Sequence, residues 1–137
     1  MVEKRFMTKG CKFQCLNVPV ILIAGGFNEL EGVLQSAELY NPKTGFSCFI
    51  TALPTARFNP VANGLTVCGG GESDCVKFWL EDDGVWRPEE YQLDGKRRGS
   101  IGWNSSEGLV LIGGYPQSDT AELVGSGNIF NISPPRL

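Results

Sequence analysis

Three short apolar runs punctuate the chain: VILIA at 20–24, LTVC at 65–68 and LVLI at 109–112. Each ends in a glycine pair, Gly25-Gly26, Gly69-Gly70 and Gly113-Gly114, and consecutive pairs stand 44 residues apart both times. Runs of four or five partly β-branched residues that stop at glycine read as strands buried on both faces. A further strand is expected after each pair, in SAEL (36–39), CVKFW (75–79) and TAEL (120–123). Another is expected before each run, in CKFQCL (11–16), RFNPVA (57–62) and RGSIGW (98–103). NPKTG aligns with LEDDG, which places the turn glycines Gly45 and Gly84 together and sets Trp86 opposite Ser47. Phe46 and Phe49 are expected to cover the gap at Ser47. The pattern therefore predicts four strands per unit and few helix signals.

A fixed period within roughly 20 to 50 residues marks a repeat architecture. A four-stranded unit at this period is the sequence form of a propeller blade, because one twisted sheet buries both faces only when neighbours stack on it. Glycines recur where the chain turns in a crowded place and a missing side chain permits close approach and positive φ.

The order of parts resembles a kelch repeat: Gly-Gly after an apolar strand, AELY, the NPKTG turn, a Trp region, then LPTAR. The resemblance covers nearly the whole chain and implies an all-β kelch-type β-propeller fragment of three four-stranded antiparallel blades. The expected division is a lead-in at 1–9 and blades at 10–53, 54–95 and 96–137. The last blade is expected to be partial, since GNIFNI is short for an outer turn and strand. The Gly-His and Trp-Asp signatures of the WD-repeat alternative are absent. The resemblance implies a non-enzymatic protein-protein interaction scaffold that presents its inter-strand loops. The alternative is the scaffold remnant of a secreted galactose-oxidase-like or carbohydrate-related enzyme. Three blades do not close a ring of about six or seven. A longer chain, a homodimer completing a six-bladed ring, or a decayed repeat would each account for that.

Composition narrows the chemistry. The 137 residues contain no histidine, so imidazole metal sites, Ser-His-Asp triads and Cys-His pairs are excluded within the chain. Five cysteines lack repeated Cys-x2-Cys knuckles, so no metal and no cofactor are expected. The pairs Asp82-Asp83 and Glu89-Glu90 read as surface solvation, because sequence neighbours on a strand or turn point different ways. GGGES (69–73) lacks the Gly-Lys-Ser/Thr and following helix of a phosphate loop. A net charge of −3 argues against a nucleic-acid partner, and the Lys96-Arg97-Arg98 run reads as a solvated strand entry. No apolar stretch approaches the roughly 20 residues of a membrane-spanning helix. The N-terminus does not resemble a secretory signal, which reads as cytoplasmic, with an extracellular setting kept for a fragment.

Cys68 and Cys75 flank GGGESD, so as hairpin arms they would lie opposite each other and bridge; burial as small hydrophobes is the other reading. Where a framework is periodic, loops of varying length are the natural recognition face. Asn28, Glu29, Glu31, Glu72, Asp74, Tyr115 and Gln117 are accordingly expected to border one acidic rim facing a protein partner.

Overall fold

The computed structural model describes residues 19–79, 84–116, 118–126 and 128–132. Among these residues the chain is all-β, without a helix, in antiparallel sheets. The first sheet has the order β1-β4-β5, from β1 (Ile21–Ala24), β4 (Ala37–Asn41) and β5 (Phe46–Ile50). A small hairpin, β2 (Phe27–Asn28) with β3 (Gly32–Val33), projects between β1 and β4. The second sheet runs β6-β7-β8-β9, from β6 (Val61–Asn63), β7 (Thr66–Cys68), β8 (Glu72–Trp79) and β9 (Val85–Arg97). The third runs β10-β11-β12-β13, from β10 (Ile101–Ser105), β11 (Gly108–Ile112), β12 (Thr120–Leu123) and β13 (Asn128–Asn131). The strand expected in CKFQCL lies outside the described residues, as do Asp82 and Asp83. GNIFNI, expected to leave the last unit incomplete, supplies β13, which pairs with β12 over four residues.

The sheets stack in chain order. Leu22, Ala37, Leu39 and Ile50 of the first sheet pack with Val67, Val76, Phe78 and Trp86 of the second. From the other face of the second sheet, Val61, Cys68, Cys75 and Leu93 pack on Leu111 of the third. Side chains alternate across a strand, so Val67 and Cys68, neighbours in β7, serve opposite cores.

The expectation that every apolar run is buried on both faces holds only for this middle sheet. Val67 is fully buried, whereas Ile23 at the same place in β1 is 48% exposed. The reason is positional, since among the described residues the second sheet has a neighbour on each side and the first has one. Apolar sequence alone does not report how many neighbours a strand has.

In the outer strands the turn before the last strand is one residue longer in the second sheet than in the first. Phe78 pairs with Trp86 and Tyr40 with Ser47, while Trp79 pairs with Val85. Ile23 pairs with Glu38 as Val67 pairs with Val76, so Tyr40 matches Phe78 and their partners Ser47 and Trp86 share one place, as expected. Cys48 is buried and disulfide-bonded, and Ile50 beside it is also buried. Phe46 and Phe49, expected to fill the gap, project outward instead. Trp86 is held by an indole N–H donated to the Thr51 carbonyl at 2.6 Å and by Phe78, whose ring centre is 5.2 Å away. It thus ties the second sheet to the exit of the first.

Cys68 and Cys75 are register partners in β7 and β8, with their sulfurs joined at 2.04 Å and their Cα atoms 4.1 Å apart. The neighbouring amide of Gly69 donates to Asp74 O. The cysteines therefore occupy a pair without its own ladder hydrogen bonds, where antiparallel strands approach most closely.

Candidate functional site

Two buried arginines set the geometry of the surface at the glycine-pair end of the sheets. Arg57 is 0% exposed and Arg97 1%. Each makes the same set of contacts on the sheet that follows it in the chain. Arg57 Nη1 donates to Gly69 O at 2.8 Å and Asp74 O at 3.3 Å, and its Nη2 to Asp74 Oδ1 at 2.6 Å. Arg97 Nη1 donates to Gly113 O at 3.0 Å and Thr120 O at 3.1 Å, and its Nη2 to Thr120 Oγ1 at 2.7 Å. Their backbone carbonyls turn back to the preceding glycine pair, accepting from Gly26 N at 2.8 Å for Arg57 and from Gly70 N at 2.6 Å for Arg97. Each arginine therefore fastens two successive glycine pairs.

The two anchors differ at one atom. Arg97 Nε donates to Glu122 Oε1 at 2.9 Å, whereas Arg57 Nε is buried without a partner among the described residues. Gly69 N donates to Asp74 O and Gly113 N to Thr120 O, so Val76 stands where Glu122 stands. An isopropyl group at that place offers no acceptor.

This arrangement explains which glycines are obligatory. A Cβ on Gly25 would lie 2.5 Å from Arg57 O, and one on Gly69 2.8 Å from Arg97 O. Both residues also have positive φ. The expectation of a solvated Lys96-Arg97-Arg98 run thus fails at Arg97. A guanidinium that finds two carbonyls, a hydroxyl and a carboxylate is satisfied without water.

The residues next to these anchors face outward and form a strip. Phe58 follows Arg57, Arg98 follows Arg97, Phe27 follows Gly26 and Tyr115 follows Gly114. Phe27 and Phe58 meet edge to face, with ring centres 5.8 Å apart. The Arg98 guanidinium lies 5.7 Å from the Phe58 ring centre and 4.9 Å from that of Tyr115. Arg98 and Tyr115 exchange backbone hydrogen bonds of 3.1 and 2.8 Å, and Phe58 N donates to Gly70 O at 2.9 Å. Asn59 and Gly99, each next in line, share the left-handed conformation at φ 50° and 70°. Asparagine tolerates it and glycine is indifferent to it. Phe27, Arg98 and Tyr115 are exposed and Phe58 half-buried.

The residues expected to form an acidic rim have divergent places. Asn28 Oδ1 accepts from Leu30 N at 3.0 Å and Glu31 N at 2.7 Å, while its Nδ2 donates to Glu31 Oε2 at 3.1 Å. These bonds shape the tip of the β2–β3 hairpin, where Glu29 is exposed. Asp74 is committed to Arg57, and Glu72 is half-buried in β8, in register with Arg97. Tyr115 joins the strip, and Gln117 lies outside the described residues. The site that emerges is aromatic and cationic at its centre, with carboxylates at one end.

Sequence reasoning missed the strip because its members were not linked to the repeat. The usable signal is Leu53-x3-Arg57 and Leu93-x3-Arg97, both leucines and both arginines being buried. In the sequence Arg136 follows Ile132 by the same interval. Among the described residues no group of three Cys, Asp or Glu side chains is placed to hold a metal ion, and no helix is long and apolar enough to cross a membrane. No protein-family model and no curated protein matches the chain.

Proposed function

We propose that the chain is a protein-interaction module of the kelch-propeller kind, whose contact surface is the Phe27, Phe58, Arg98 and Tyr115 strip. The reading as propeller blades is supported by four-stranded meanders stacked face to face and joined by equivalent arginines. The observation that carries the function is the exposed strip itself. Aromatic residues and arginine dominate the energetics of protein interfaces, since each combines large contact area with few rotatable bonds or a fork of donors. Arg98 is held between two rings, so its donor edge is pre-oriented toward solvent and fits a carboxylate, while the rings accept apolar groups beside it. The partner segment is therefore acidic and aromatic or aliphatic.

Titrating the labelled chain with capped peptides that carry a glutamate beside a phenylalanine or leucine tests this reading by NMR. The expected result is movement of Phe58, Arg98 and Tyr115 resonances, abolished in Arg98→Glu. Shifts that survive Arg98→Glu, or no shifts at millimolar peptide, would overturn it.

A further inference from the structure

The outer faces of the first and third sheets are the two halves of a joint that the molecule makes internally twice. Gly25 N donates to Ser36 O as Gly69 N does to Asp74 O and Gly113 N to Thr120 O, which puts the three sheets in one frame. In that frame Ala24, Cys68 and Ile112 point toward the following sheet. Ala24 and Cys68 are packed there, whereas Ile112 lines an open groove of about 430 Å³ with Trp103, Val110, Leu123, Phe130 and Ile132. Ile23, Val67 and Leu111 point toward the preceding sheet. Val67 and Leu111 are fully buried there, yet Ile23 and Ile21 are 48% and 52% exposed. Apolar surface of this extent on both ends marks an interaction site on a soluble protein.

We infer that a second copy of this chain covers these faces, the third sheet of one copy packing on the first sheet of the other. The occupant follows from the joint. What Leu111 presents to Cys68 across the inner interface, Ile23 presents to Ile112 of a neighbouring copy, so the groove and the face match position by position. The same frame leaves a carboxylate over on the first sheet. Glu38 stands in the frame where Glu122 receives Arg97, and it has no partner among the described residues. Because the two faces differ, the contact is head to tail; two copies joined at both ends close into a ring of six sheets.

The test is the solution mass of the full chain by light scattering, together with Ile23→Lys and Ile112→Glu. The expected result is a mass twice 14.9 kDa for the unaltered chain, monomers for each variant alone, and a heterodimer on mixing the two, because one joint remains unaltered and the other gains a Lys-Glu pair. Ile21→Lys with Phe130→Glu repeats the test at more exposed positions, should either first variant fold poorly. A monomer of the unaltered chain, or variants that each remain dimeric, would overturn the inference. Peptide binding at Arg98 does not depend on this joint, so the two readings fail separately.

Discussion

Arg97 and Glu122 form an ion pair in which Nε and Oε1 are 2.9 Å apart and both side chains are almost wholly withdrawn from water. The same carboxylate accepts from Asp94 N through its other oxygen at 3.0 Å. A buried pair is no proof of net stabilisation, but removing one member strands the other charge, at a cost of about 3–5 kcal/mol. Glu122→Gln is therefore expected to lose about that much in urea denaturation. Asp74→Asn is expected to lose less, about 1–2 kcal/mol, because the Asp74 carboxylate is partly solvated whereas that of Glu122 is not. Equal losses would contradict the difference in burial.

Gly69 and Gly64 separate two reasons for glycine. Gly64 has φ +59° and open space around it, whereas at Gly69, φ +69°, a methyl group would meet Arg97 O. Gly64→Ala is expected to cost about 1 kcal/mol, the strain of a left-handed residue. Gly69→Ala is expected to cost about 2–4 kcal/mol, since backbone must also move. Paired denaturation curves decide the matter, and the idea fails if the order is reversed.

Trp86 combines burial with a hydrogen bond, and the two are separable. Trp86→Phe keeps a ring against Phe78 but abandons the Thr51 carbonyl, for an expected loss of about 1–2 kcal/mol. Trp86→Ala also opens a cavity between the first and second sheets, for about 3–5 kcal/mol. Thermal unfolding of both variants checks the step between them.

The phenol of Tyr91 is perturbed by its surroundings. Burial raises its pKa above the ordinary 10.0, and the negative charge of Glu89 raises it further. The folded state thus holds the phenolic proton more tightly than the unfolded chain does. That contribution to stability is complete below pH 10 and is lost as pH rises through the folded value. Ultraviolet titration of tyrosinate should show Tyr91 ionising later in the folded than in the denatured protein, with Glu89→Gln bringing it part of the way back. Ionisation of Tyr91 at or below the ordinary value would refute this.

The strand order was legible because glycine pairs and apolar runs are local and periodic. The position of Cys68 against Cys75 was legible for the same reason, as a short glycine turn fixes the register of its arms. Arg57 and Arg97 were opaque because their partners lie 12 to 25 residues further along the chain. Nothing near a charged residue in sequence announces a carbonyl cage. Asp74 was placed on the rim by the same blindness, since its acceptor role depends on an arginine from the segment before β6. Anchoring on Gly45 and Gly84 sets Trp86 opposite Ser47 even though the turns before β5 and β9 differ in length by one residue, because the extra residue lies ahead of the glycine.

The way each arginine faces backward with its carbonyl and forward with its side chain also fixes where such an array can gain or lose a unit in evolution. A duplication whose boundary falls between Arg97 and Gly113 would copy a guanidinium without its carbonyl cage, or a cage without its guanidinium. A boundary just before the arginine copies donor and acceptors together. The self-contained unit of donor and acceptors therefore begins at the arginine, although the glycine pair is what the eye finds first.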